Sequence, residues 1–87
     1  KMLSFTEINL ICSSICRNYL IWVKNNFPDK WDNELKIIEK FYSYFDFTLP
    51  DRLQHEAMSL IDEVRNKITK RRKLLIEEGR NNEKEMA

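Results

Sequence analysis

Between Ser4 and Gly79 the chain contains no glycine and two prolines, Pro28 and Pro50. This scarcity of chain-reversing residues constrains the fold more than any other feature. Sheets and barrels need frequent turns, and turns draw heavily on glycine and proline. A chain broken only near Pro28 and Pro50 has room for three long elements, and no segment shows the two-residue alternation of a strand. With 43% hydrophobic and 11% aromatic residues it also carries enough apolar surface to fold around one small core.

The first element opens at Ser4. In "SFTE", Glu7 follows Ser4 by three residues, the pattern of a capping box. Ile8, Ile11, Cys12, Ile15, Tyr19, Trp22 and Val23 then fall within an arc of about 120° at helical spacing. Pro28 disfavours helical geometry at Phe27, which predicts a stop after about 22 residues, ~33 Å. "PDKWDNE" connects to a second helix with Asp29 or Asp32 as its N-cap. There Trp31, Leu35, Ile38, Phe41, Tyr42 and Phe45 share a face, and Ile37 and Tyr44 widen it to about half the circumference. That helix is expected to end near Asp46.

A second break at "DFTLPD" offers Thr48 and Asp51 as a capping pair, with Pro50 in the first turn of a third helix. Leu53 leads into a seam of Ala57, Ile61, Val64, Ile68, Arg71 and Leu75, whose steps of 4, 3, 4, 3 and 4 are those of a coiled coil with one arginine in it. Gly79 is the first residue to interrupt the pattern, which predicts about 28 residues, ~42 Å, against ~22 Å for the second helix. Residues beyond about 70 are therefore expected to overhang. The fold expected is all-α, a three-helix up-down-up bundle with a long, overhanging third helix. It forms a single domain over residues 1–80, with a frayed tail over 81–87.

Charge is unevenly placed although the formal net charge is only +1. Residues 1–64 sum to −3, residues 65–73 to +6 and residues 74–87 to −2. The basic band comprises Arg65, Lys67, Lys70, Arg71, Arg72 and Lys73. Three readings compete for it: the solvated side of a helix, a nuclear-import signal, and a contact for nucleic acid. Its cations spread around the helix, no aromatic interleaves them, and Glu77 and Glu78 follow directly. These features weigh against phosphate binding and base stacking.

Chemistry-bearing motifs are scarce. Cys12 and Cys16 stand four apart, but His55 is the one histidine, so a four-ligand zinc site lacks partners and both thiols read as core-edge residues. "HEAMS" has Ser59 where a zinc-protease motif needs its second histidine. One glycine cannot build a phosphate-cradling loop, and Ser13 and Ser14 have no neighbouring histidine. We therefore expect no catalysis, no cofactor, no metal and no small-molecule substrate. No apolar run reaches the ~20 residues that cross a bilayer, and two cysteines are too few for a secreted disulfide framework. An intracellular setting, nuclear or cytoplasmic, is expected, with no membrane partner.

What remains is apolar surface that a core does not require. Leu10, Ser14, Arg17 and Ile21 form one stack opposite the main arc of the first helix, spaced as a helix-in-groove contact would use. Ile37 and Tyr44 broaden the second helix in the same sense. The function expected is a protein–protein interaction module, an adaptor that binds an amphipathic helix or docks into a larger complex. Two alternatives stand beside it: homo-oligomerisation, as a homodimer, through the third-helix seam, and nucleic-acid binding through the basic band.

Overall fold

A computed structural model describes residues 4–44 and 50–86 of the chain, with side chains at 4, 6–41 and 59–83. Three α-helices and a short 3-10 turn, with no strand, make up the described residues. They form the expected all-α, up-down-up bundle. Helix α1 spans Phe5–Asn26 and α2 spans Trp31–Tyr44, joined by the turn Pro28–Lys30; α3 spans Pro50–Met86.

The start of α1 is built as its sequence dictates. Ser4 Oγ accepts from the Glu7 amide at 3.1 Å, and Glu7 Oε1 accepts from the Ser4 amide at 3.3 Å. Two amides that the first turn leaves unpaired are thereby satisfied reciprocally. The helix stops at Phe27, whose amide donates to the Val23 carbonyl just before Pro28. The connection differs from expectation. Asp29 lies in the 3-10 turn and Asp32 in the first turn of α2, so neither stands ahead of the helix as its N-cap. Both remain where the amino end of a helix favours negative charge. The capping pair expected at Thr48 and Asp51 lies outside the described side chains, as do Phe5, Tyr42, Leu53, His55 and Ala57.

Helix α1 is the centre of the bundle and packs on both α3 and α2, most extensively on α3. The rows of α1 and α3 match. On α1 the series Ile8, Cys12, Cys16, Tyr19, Val23, Phe27 advances by 4, 4, 3, 4 and 4 residues, and on α3 Leu60, Val64, Ile68, Arg71, Leu75, Gly79 repeats those steps. Two contacts anchor the alignment. The Arg72 guanidinium lies 4.9 Å from the Trp22 ring centroid and 5.6 Å from that of Tyr19. A Cβ at Gly79 would stand 3.3 Å from Phe27 Cε1. The two helices therefore run parallel, with α2 antiparallel beside them. The core is Ile8, Cys12, Cys16, Tyr19 and Val23 of α1, Ile38 of α2, and Leu60, Ile61, Val64, Ile68 and Leu75 of α3.

This alignment corrects two expectations about α3. Its support is set by α1, not by the shorter α2. Leu75 is 2% exposed, so the overhang starts after Gly79 and not near residue 70. Gly79 does not end the helix either. It has no left-handed backbone, and helical structure continues to Met86. The Phe27 ring leaves little space at Gly79 for anything beyond a small side chain. The molecule is a rod with extents of 53 × 19 × 18 Å.

Candidate functional site: a buried ionic clasp and two flanking grooves

Among the described residues one charged side chain is fully buried, Glu34 of α2. Its Oε1 accepts from Tyr19 Oη of α1 at 2.6 Å and from Arg71 Nε of α3 at 2.9 Å. Its Oε2 accepts from Arg71 Nη2 at 2.6 Å and from Asn33 Nδ2 at 3.2 Å. Each carboxylate oxygen thus receives two donors, and the guanidinium engages it as a fork. One residue from each helix meets at this point, so the clasp ties the three together.

The clasp's electrostatics follow from its geometry. Burial pushes the Glu34 carboxyl upward, but the hydrogen bonds from Arg71 and Tyr19 and the Arg71 charge outweigh it and hold Glu34 below its ordinary value. Tyr19 is pushed well above the usual phenol range, first by burial and then by its bond to the Glu34 carboxylate. Arg71 is raised, chiefly by its bonds to Glu34. The phenol therefore stays protonated and the ion pair stays charged around neutrality.

Arg71 was expected as part of the basic band, and the structure divides that band. Arg71 turns inward to Glu34, and Arg72 covers the rings of Tyr19 and Trp22. Lys67 stands over the Phe41 ring, 5.9 Å from its centroid. Arg65, Lys70 and Lys73 are exposed. The coiled-coil seam is also spoken for, since Ile61, Val64, Ile68 and Leu75 lie buried within the chain.

Of the six residues expected to bind a partner, the five with described side chains fall into two places. Leu10 and Ile21, 62% and 53% exposed, share an exposed stripe of α1 with Ser14 and Arg17. Arg17 and Ile21 line an open groove of ≈ 620 Å³ between α1 and α2. Leu20, Trp31, Leu35 and Ile38 give this groove apolar walls, with Lys24 on its α1 rim and Glu39 on its α2 rim. Leu10 continues the stripe beyond the groove. Ile37 lies elsewhere, in a second groove of ≈ 650 Å³ between α2 and α3. The Tyr44 side chain is outside the described residues.

Glu34 and Tyr19 were not singled out by sequence reasoning, although a signal was present. Glu34 sits three residues after Trp31 and four before Ile38, inside the apolar arc of α2, just as Arg71 sits inside the seam of α3. A lone charge on the apolar face of each of two helices is the signature of a buried pair.

Among the described residues, no group of His, Cys, Asp or Glu side chains is placed to hold a metal ion, and no helix is long and apolar enough to cross a membrane. Cys12 and Cys16 are buried thiols, and burial raises the pKa of Cys12. No protein-family model matches the chain, and no curated protein or solved structure is similar enough to match.

Proposed function

We propose that this chain is a non-catalytic interaction module whose α1–α2 groove receives an amphipathic helix from another protein. The observation that carries the reading is Ile21, a large apolar side chain 53% exposed on the wall of a groove otherwise walled by half-buried Leu20, Trp31 and Leu35. An apolar side chain on the wall of a concave surface is an anchor for a helix read at i, i+3 or i+4, and i+7. Arg17 and Lys24 on one rim and Glu39 on the other supply the polar border that sets the partner's orientation. The non-catalytic part rests on the clasp. Its polar groups spend their hydrogen bonds on one another and face the core rather than a cleft.

An intracellular setting belongs to the same proposal, supported by two buried thiols with no bridge between them. The import-signal reading of Lys70–Lys73 is weakened because Arg71 and Arg72 are engaged by the bundle.

The test is selection from a displayed library of amphipathic helices of about five turns, followed by titration against Ile21→Asp. We expect the selected helices to share an apolar stripe and to bind the variant at least about tenfold more weakly, with helicity unchanged. A selection in which no helix binds Ile21→Asp more weakly than the parent would refute the α1–α2 site.

A further inference from the structure

A second surface is independent of the first. The α2–α3 groove has Ile37 and Phe41 on its α2 wall and is edged by Lys40, Lys67 and Lys70, with Glu63 at one end. Lys67 and Lys70 are exposed on α3, one turn apart, and the Lys67 ammonium hangs over the Phe41 ring. Next to it a smaller hollow on α2 adds Lys36, Asn33 and the acid Glu39 beside Ile37 and Lys40. The result is a half-buried apolar strip with lysines on both sides, Lys67 and Lys70 on α3 and Lys36 and Lys40, with Glu39, on α2.

We propose that this groove binds an acidic amphipathic helix, one that sets two apolar residues a turn apart on Ile37 and Phe41 and directs Asp or Glu from both flanks to the lysines. Three observations select this occupant. The lysines outnumber the single acid of the groove, so an approaching acidic segment is attracted and a basic one repelled. The strip between them is apolar, which an acidic helix matches with its own apolar stripe and a free anion does not. Its length, from Glu63 to Lys70 on α3, is about two turns.

Nucleic acid fits less well. Lys67 stands over the Phe41 ring and would compete with a base for that face. Two of the three arginines of the basic band, the side chains best suited to phosphate, are engaged elsewhere, Arg71 in the clasp and Arg72 over the rings of Tyr19 and Trp22, which leaves Arg65 exposed.

The experiment uses two displayed libraries of helices of about four turns, with the apolar positions randomised. One fixes Asp or Glu on both flanks and the other fixes Lys. Enriched peptides are titrated against the whole chain, Lys67→Glu/Lys70→Glu and Ile21→Asp, with circular dichroism confirming that each variant is folded. A short single-stranded DNA is titrated in parallel. We expect enrichment from the acidic library alone. Binding should fall at least about tenfold in the double lysine variant, weaken with salt, and be unchanged in Ile21→Asp. Equal enrichment from both libraries, or indifference to the lysine reversal, would overturn the proposal. So would DNA that binds more tightly than the peptides and depends on the same lysines. Because Ile21 and Lys67 lie in different grooves, failure here leaves the α1–α2 reading standing, and the reverse also holds.

Discussion

A carboxylate removed from water is tolerated only when its partners replace the solvent it lost. Glu34 meets that condition with four donors, and the arrangement implies an asymmetry. Taking away one partner strands a buried charge, whereas taking away both removes the charges and leaves the Tyr19 hydroxyl as the one buried donor without its acceptor. We expect Glu34→Gln and Arg71→Met each to destabilise the fold by about 3–5 kcal/mol. The double variant Glu34→Leu/Arg71→Met should recover most of that loss in denaturant titrations. For a domain whose whole stability is of order 5–15 kcal/mol, each single change approaches unfolding. The pH dependence has a definite sign. Glu34 has a lower pKa folded than unfolded, so its contribution is present above the unfolded carboxylate value and is lost as pH falls through the folded one. Thermal melts of the parent should drop through that acid range, while Glu34→Gln should lack this component.

At the scale of the element, α3 is a 37-residue helix whose amino acids do different work along its length. Leu60 to Leu75 supply the core, Arg71 the clasp, Lys67 and Lys70 the edge of a groove, and Gly79 the last point of contact with α1. A glycine inside a helix costs about 0.8–1 kcal/mol relative to alanine. The methyl of Gly79→Ala would meet the edge of the half-buried Phe27 ring, which has to give by a few tenths of an ångström, a shift we expect to cost less than the helix propensity gained. We therefore expect Gly79→Ala to raise the melting temperature slightly. Gly79→Leu should lower it by displacing Phe27 from Trp22, against which it packs with centroids 5.4 Å apart. Melting curves of the two variants decide the matter, and a stabilised Gly79→Leu would remove the packing role assigned to this glycine.

Whole-molecule behaviour follows from what the helices have already used. The seam that could have paired with a second copy is buried against α1, and the exposed Leu74 and Ile76, 40% and 39% exposed, stand two residues apart and so on opposite sides of α3. They do not make one face. We expect a monomer mass by light scattering across a concentration series; a dimer that survives dilution would contradict this and revive the self-association reading. The chain's net charge of +1 and the withdrawal of two arginines from its basic band give no basis for tight duplex binding, so any association with DNA should vanish at physiological salt.

What the sequence determined by itself was whatever is local. The capping box at Ser4, the stop before Pro28, the three-helix order and the buried stripe of α1 depend on residues within a turn or two of one another, where spacing is enough to specify geometry. The identity of the exposed stripe Leu10–Ile21 was equally legible, because a residue opposite the apolar arc has nowhere to go but outward. Tertiary structure decided the rest. Which helix Arg71 faces, that Glu34 answers it, that Gly79 receives the Phe27 ring, and that Ile37 belongs to a different groove from Ile21 all depend on the relative register of helices. Periodicity within one helix says which way a side chain points, but it carries no information on what stands opposite. That register is set here by matching rows on α1 and α3 and by one ion pair whose two halves lie 37 residues apart.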